Sequence, residues 1–173
     1  MKERPHTGVP FADAGTLPGP AEDEGLMREA LAEARGATGH GDVPIGAVVA
    51  RDGQVIARAH NRREIDSDPT GHAELIALRD AARSLRRWRL LDCALYVTIE
   101  PCAMCAAAAV LGRVALVVFA APDEKAGAIR SAVETFDAPW ANHRPRWRYF
   151  PPAREEAERL VQEFFAGHRA ERD

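Results

Sequence analysis

A chain of 173 residues, 46% of them hydrophobic, holds enough apolar matter for one substantial core, and nothing in it points to a second. A net charge of −3 excludes a globally basic nucleic-acid binder and leaves only local basic patches for such a role. Three cysteines are too few for a disulfide scaffold and point to a reducing compartment, the cytoplasm. No apolar run approaches the roughly 20 residues of a membrane span, and a signal peptide's apolar stretch is missing.

Residues 1–22 are rich in Pro, Gly and acidic residues, from Pro5 and Gly8-Val9-Pro10 to Gly19-Pro20, with no sustained period. This predicts a disordered leader ahead of one domain over 23–173. From Glu24, Leu26, Ala30, Leu31 and Ala34 recur at helical spacing and stop before Gly39 and Gly41. Two apolar runs, 45–50 and 55–59, are joined by Asp52-Gly53, a hairpin signal. Asp68-Pro69-Thr70 reads as a helix start. The helix opened by His72 runs through Leu75, Ile76, Leu78 and Ala82 into the arginines Arg83, Arg86, Arg87 and Arg89. Those cations suit either a helix C-terminus or a phosphate.

A strand over 93–99, a helix over 102–111 and a strand over 114–119 follow in β-α-β order, which implies neighbouring parallel strands. In a strand near 143–149, Arg144, Arg146 and Arg148 share one face and Trp147 and Tyr149 the other. The preferred reading is a solvated basic face above a buried aromatic pair, the alternative a row that guides a phosphate backbone. A last helix over 155–165 carries the stripe Leu160, Val161, Phe164 and Phe165. The sum is an α/β fold: a three-layer α/β/α sandwich with a mixed, mostly five-stranded sheet and a hairpin at its front edge.

Two short motifs carry the chemistry. Gly71-His72-Ala73-Glu74 and Pro101-Cys102-Ala103-Met104-Cys105 supply one imidazole and two thiols, three corners of a tetrahedral Zn²⁺ site whose fourth corner stays free for water. Glu74 is the carboxylate available to move that water's protons. Pro101 fits the first position of a helix, which would place Cys102 and Cys105 on one face near its N-terminus, where free amides favour thiolates. His72 and Glu74, two apart, converge only in a first helical turn. A structural zinc would need Cys93 as fourth ligand, yet Cys93 heads an apolar strand where a thiol behaves as a small buried hydrophobe, and Glu74 would have no task. A redox Cys-x-x-Cys pair would leave His72 and Glu74 unexplained.

The segments Asp42-Val43-Pro44-Ile45-Gly46-Ala47-Val48-Val49, Asn61-Arg62, Asp68-Pro69-Thr70, His72-Ala73-Glu74, Leu95-Tyr96-Val97-Thr98, Glu100-Pro101-Cys102-Ala103-Met104-Cys105, Asp123-Glu124-Lys125-Ala126-Gly127-Ala128 and Asn142-His143-Arg144 together resemble the bacterial tRNA-specific adenosine deaminases. These belong to the cytidine deaminase-like superfamily of zinc enzymes. The likeness spans roughly residues 25–165 in order.

The resemblance implies hydrolytic conversion of adenosine to inosine at the wobble position of a tRNA anticodon stem-loop by a cytoplasmic homodimer. Zn²⁺ would be held by His72, Cys102 and Cys105, with Glu74 as catalytic proton carrier and Asn61 on the nucleoside. Asp123 and Lys125 read equally as substrate rim or as a solvated loop pair. Ala107 and Pro122 stand where the family usually has glycine and arginine. A deaminase of a free guanine- or cytosine-type base or nucleoside therefore stays open as the second reading, and a non-catalytic RNA-binding subunit as the third.

Overall fold

The structure is a computed structural model that describes residues 16–170; most of the expected leader lies outside the described residues. Residues 16–22 lie against the domain: the Thr16 amide donates to Asp52 at 3.0 Å, and Leu17 packs on the core. Asp23 and Glu24 then open helix α1 (Asp23–Thr38), where acidic side chains complement the helix dipole. Its buried face is Leu26, Met27, Ala30, Leu31, Ala34 and Ala37.

Strands β1 (Gly46–Arg51) and β2 (Gln54–His60) pair antiparallel. Asp52 and Gly53 turn the chain at φ 50° and 72°, the left-handed pair that this hairpin turn requires. Gly46 is obligatory for a different reason: a Cβ there would stand 2.0 Å from the Ala30 carbonyl oxygen, so α1 crosses directly over β1.

Helix α2 (Ala73–Ser84), strand β3 (Cys93–Ile99), helix α3 (Ala103–Leu111), strand β4 (Leu116–Ala121), strand β5 (Arg146–Tyr149) and helix α4 (Arg154–Ala170) complete the domain. The sheet order is β2-β1-β3-β4-β5. β1 and β3 are antiparallel, β3–β4 and β4–β5 parallel, so the sheet is mixed and five-stranded as expected. The central strands are buried on both sides: Val49, Leu95, Val97, Val117 and Phe119 face α2 and α3, and Val48, Tyr96, Leu116 and Val118 face α1 and α4. Covered on both faces, these strands read as continuous apolar runs rather than alternations. Each such side chain contributes about 1.5–3 kcal/mol on burial.

Three expectations are corrected. β4 starts at Leu116 rather than at 114, because 112–115 form the turn that leaves α3. β5 begins at Arg146; Arg144 lies ahead of it, paired to Asp137 at 3.2 Å, so no row of three arginines exists. Trp147 and Tyr149 are not a buried pair. Both rings pack beside Phe119 on the α2/α3 side, and Trp147 is 42% exposed. α4 lies on the opposite face, held by Ala157 and Leu160, with Phe165 largely exposed.

Candidate active site

Two helix N-termini meet at one point. His72 is the residue that caps α2 (φ −80°, ψ 141°) and Cys102 the residue that caps α3 (φ −70°, ψ 173°), while Glu74 and Cys105 sit in the first turns behind them. Both capping residues are extended, so neither side chain is committed to the helix direction and both turn toward the same space. Two local readings shift accordingly. Asp68-Pro69-Thr70 is a turn before the helix, in which Asp68 Oδ1 accepts from the Thr70 amide at 2.8 Å and its hydroxyl at 2.7 Å. Pro101 precedes the cap, and its carbonyl accepts from the Ala128 amide at 2.8 Å.

His72 Nδ1 lies 3.7 Å from Cys102 Sγ and 3.6 Å from Cys105 Sγ. Ligands on a tetrahedral zinc, at its usual Zn–N and Zn–S lengths, stand roughly 3.6 Å apart for an N/S pair, so the cluster already has the spacing that Zn²⁺ needs. Among the described residues it is the one group of three or more His, Cys, Asp or Glu side chains able to hold a metal ion. Its protonation agrees: the hydrogen bond with Cys105, and then that with His72, holds Cys102 down at about 3. The same bond, with burial, pushes the Cys105 thiol up. One thiolate and one shared proton thus occupy a place where a cation satisfies both sulfurs.

Glu74 is 3% exposed, and its Oε2 has no hydrogen-bond partner among the described residues. Burial, and then the Cys102 charge, raise its pKa. A buried carboxylate oxygen without a partner beside three metal-ligand atoms is the mark of a group reserved for something that enters the site.

Asn61 is placed at the site but has a first duty to the fold: its Oδ1 accepts from the Ala73 amide at 2.9 Å, which fixes the start of α2 next to His72. Asp123 Oδ1 accepts from the amides of Lys125 and Ala126, and Lys125 is exposed. This loop reaches the cluster through its backbone, Gly127 bridging to Cys102. Cys93 lies at the far end of β3, fully buried, its thiol pushed up to about 12 by burial and then by Asp92. It takes no part in the cluster.

Two residues with site roles were given none in the sequence reading. Glu100, 3% exposed, accepts hydrogen bonds from the amides of Ile129, Arg130, Ser131 and Asp123 and from the Ser131 hydroxyl, so one carboxylate organises the whole 123–131 loop. Gly127 leaves the room, since a Cβ there would stand 2.6 Å from Glu100. A charge directly after a buried, largely apolar strand was the available signal. Asp42, 1% exposed, accepts from the amides of Glu64 and Ile65 at 3.0 and 3.3 Å and ties the loop after α1 to the loop before α2. Between those loops and the end of α4 opens a cavity of about 450 Å³, its wall including His40, Val43, Asn61, Arg63 and the rings of Phe164 and Phe165.

An α/β/α sandwich with a His/Cys/Cys cluster at facing helix N-termini and a buried glutamate beside it defines a hydrolytic deaminase of the zinc type. The MafB19-like deaminase family model matches residues 21–169. A tRNA-specific adenosine deaminase of Aquifex aeolicus (strain VF5) is 45% identical over 142 residues, 82% of this chain and 93% of that protein. A structure solved in a study of A-to-I editing by tRNA:A34 deaminases at the wobble position superposes with a TM-score of 0.76 at 42% identity, covering 79% of this chain and 99% of the other. The guanine deaminase structure from Bacillus subtilis superposes at 0.56 with 32% identity, over 72% and 83% of the two chains. The chain belongs to the MafB19-like deaminase family, among the tRNA-specific adenosine deaminases.

Proposed function

We propose that this chain hydrolyses adenosine to inosine at the wobble position of a tRNA anticodon stem-loop, releasing ammonia. The observation that carries this reading is the 45% identity over 142 residues to a tRNA-specific adenosine deaminase, spanning 93% of that relative. The cluster geometry supports His72, Cys102 and Cys105 as the residues that would hold one zinc ion, which when bound supplies an activated water as nucleophile.

The rest is the work of the chain's own groups. Glu74 takes a proton from the attacking water and delivers protons to the adenine ring nitrogen and to the departing amine. A C–O bond forms at C6, the C–N bond breaks, and water and adenosine become inosine and ammonia. Glu74's partnerless Oε2 supports this role. Asn61 holds the start of α2 and offers its remaining amide group to the nucleoside, while Asp123 and Lys125 border the entry. The family resemblance extends the proposal to a homodimer in the cytoplasm. No helix among the described residues is long and apolar enough to cross a membrane.

The second reading is a free-base deaminase, favoured by the 32% identity to a guanine deaminase structure and outweighed by the 42% and higher TM-score of the tRNA:A34 structure. The deciding experiment measures inosine in a tRNA carrying wobble adenosine, with free adenosine, guanine and cytosine in parallel. Conversion of the tRNA alone is expected. Turnover of a free base alone would overturn the tRNA reading.

A further inference from the structure

Outside the metal cluster, a chain of three titratable side chains runs from α1 to the wall of the cavity. Glu33 Oε2 on α1 lies 2.9 Å from Nδ1 of His60, the last residue of β2. His60 Nε2 in turn lies 2.9 Å from Nε2 of His40, in the loop between α1 and β1. The two rings sit 4.9 Å apart, tilted by 32°. α1 makes room for them at Gly36, where a Cβ would stand 3.2 Å from His60.

Donor chemistry sets the order of protons for a neutral His60. A carboxylate accepts, so Nδ1 of His60 carries the hydrogen, and in the neutral ring its Nε2 keeps a lone pair to which Nε2–H of His40 donates. His40 is the end of this chain that borders the cavity. Its backbone is tied to the end of α1, where the amides of His40 and Asp42 both donate to the Ala37 carbonyl at 3.2 Å; beyond that it is held at Asp42, through the amides of Glu64 and Ile65, and at Ile45, whose carbonyl accepts from the Asn61 amide at 3.1 Å. The stretch from Gly39 to Gly41, with Gly41 at φ 76°, has no other side-chain anchor among those described. His60 precedes Asn61, so the same strand end that receives His40 also presents the residue that fixes α2 beside His72.

We propose that the Glu33–His60–His40 chain is a positioning device that holds loop 39–44 against Asn61, so that the cavity wall keeps its shape for the bound nucleoside. The inference rests on the deaminase reading above. None of the three residues touches the metal-ligand atoms, so the device acts on binding rather than on the chemical step. The net worth of one hydrogen bond is the scale of effect to expect.

The test compares full-length wild type with His40→Ala, His60→Ala, the double variant and His60→Gln, on whichever substrate the wild type deaminates. KM should rise about fivefold in each alanine variant, kcat should stay within about twofold, and the double variant should be no worse than either single one. Zinc content should not change. His60→Gln, which keeps an acceptor for His40, should recover most of the KM. Nitrogen-15 spectra of the imidazoles should show His60 protonated at Nδ1 and His40 at Nε2. An unchanged KM, a fall in kcat alone, fully additive KM effects, or the opposite tautomer at His60 would each overturn the proposal. A wild type inactive on tRNA but active on a free base overturns only the substrate assignment, because the KM comparison and the spectra then run unchanged on that base.

Discussion

The two faces of the sheet bury acidic groups equally deeply and use them in opposite ways. On the α1/α4 face Asp23, 2% exposed, accepts from the Tyr96 hydroxyl and from Arg148, both at 2.7 Å. Arg148 also donates to the Pro18 carbonyl at 3.0 Å. On the α2/α3 face Glu74, 3% exposed, keeps a carboxylate oxygen with no partner. The difference lies in where the helices begin. The acid in the first turn of α1 meets Tyr96 and Arg148, whereas the acid in the first turn of α2 faces the beginning of α3 and the His72, Cys102 and Cys105 side chains. A missing hydrogen bond alone does not separate the two, since Asp92 Oδ2 and Arg148 Nε also lack one; what sets Glu74 apart is that its free oxygen lies beside three side chains able to hold a metal.

The sharpest way to break this contrast is at the metal cluster. Cys102→Ala should remove zinc and with it activity, because two ligands do not hold a catalytic metal. Elemental analysis together with the inosine assay checks it, and full zinc occupancy in that variant would remove Cys102 from the ligand set. Next in size, Glu74→Gln should keep zinc yet lower kcat by about 10²–10⁴-fold, the usual worth of a positioned proton carrier. The same variant should unfold at an equal or higher temperature than wild type, since the amide avoids the desolvation that burial imposes on the carboxylate. Retained turnover would refute the role of Glu74. A large loss of stability would instead place Glu74 with Asp23, among the groups that hold the fold.

How much of this could be read from residues alone follows the range of the interactions. His72, Glu74, Cys102 and Cys105 were legible because each pair sits within one helical turn and its residue types have little other reason to be so spaced. The hairpin at Asp52-Gly53 and the bounds of β3 were legible for the same local reason. Glu100, Asp42 and the His40–His60 contact were not, because their partners lie 20 to 31 residues away and no period connects them. The caps were misplaced by a residue or more because Asp68-Pro69-Thr70 and Pro101 satisfy helix-start rules while making turns of their own. Trp147 was misjudged because a two-residue alternation says which side chains share a face, but not which helix covers that face.

Away from the site, the contrast predicts losses of stability without loss of activity per folded molecule. Asp92, 1% exposed, is pinned by Arg51 at 2.8 Å and by Arg87. Burial pushes its carboxyl up, but the hydrogen bond and charge of Arg87, with Arg51, outweigh it and hold the pKa below the ordinary value. Asp92→Asn should therefore cost about 2 kcal/mol near neutral pH, less than the roughly 3–5 kcal/mol of a fully buried broken pair because both arginines reach solvent. A carboxyl lowered in the folded state stabilises above its unfolded pKa of about 3.9 and loses that contribution as pH falls through the folded value. The gap between wild type and variant should thus be full at about pH 6 and shrink below about pH 4. Urea unfolding of both proteins in matched buffers measures it, and a gap independent of pH would show that the carboxylate is not the stabilising species.

The smallest effect belongs to the α1/α4 network itself. Tyr96→Phe removes one donor from Asp23 but leaves Arg148 in place, so the acid keeps a charged partner and the fully buried ring keeps its packing. About 1 kcal/mol of stability should be lost, the net worth of one buried hydrogen bond. Inosine formation per folded molecule should be unchanged, because Tyr96 points away from the face that carries the cluster. A change in kcat larger than the change in stability would mean that the two faces communicate through β3, and the division between them would then hold for the packing but not for the chemistry.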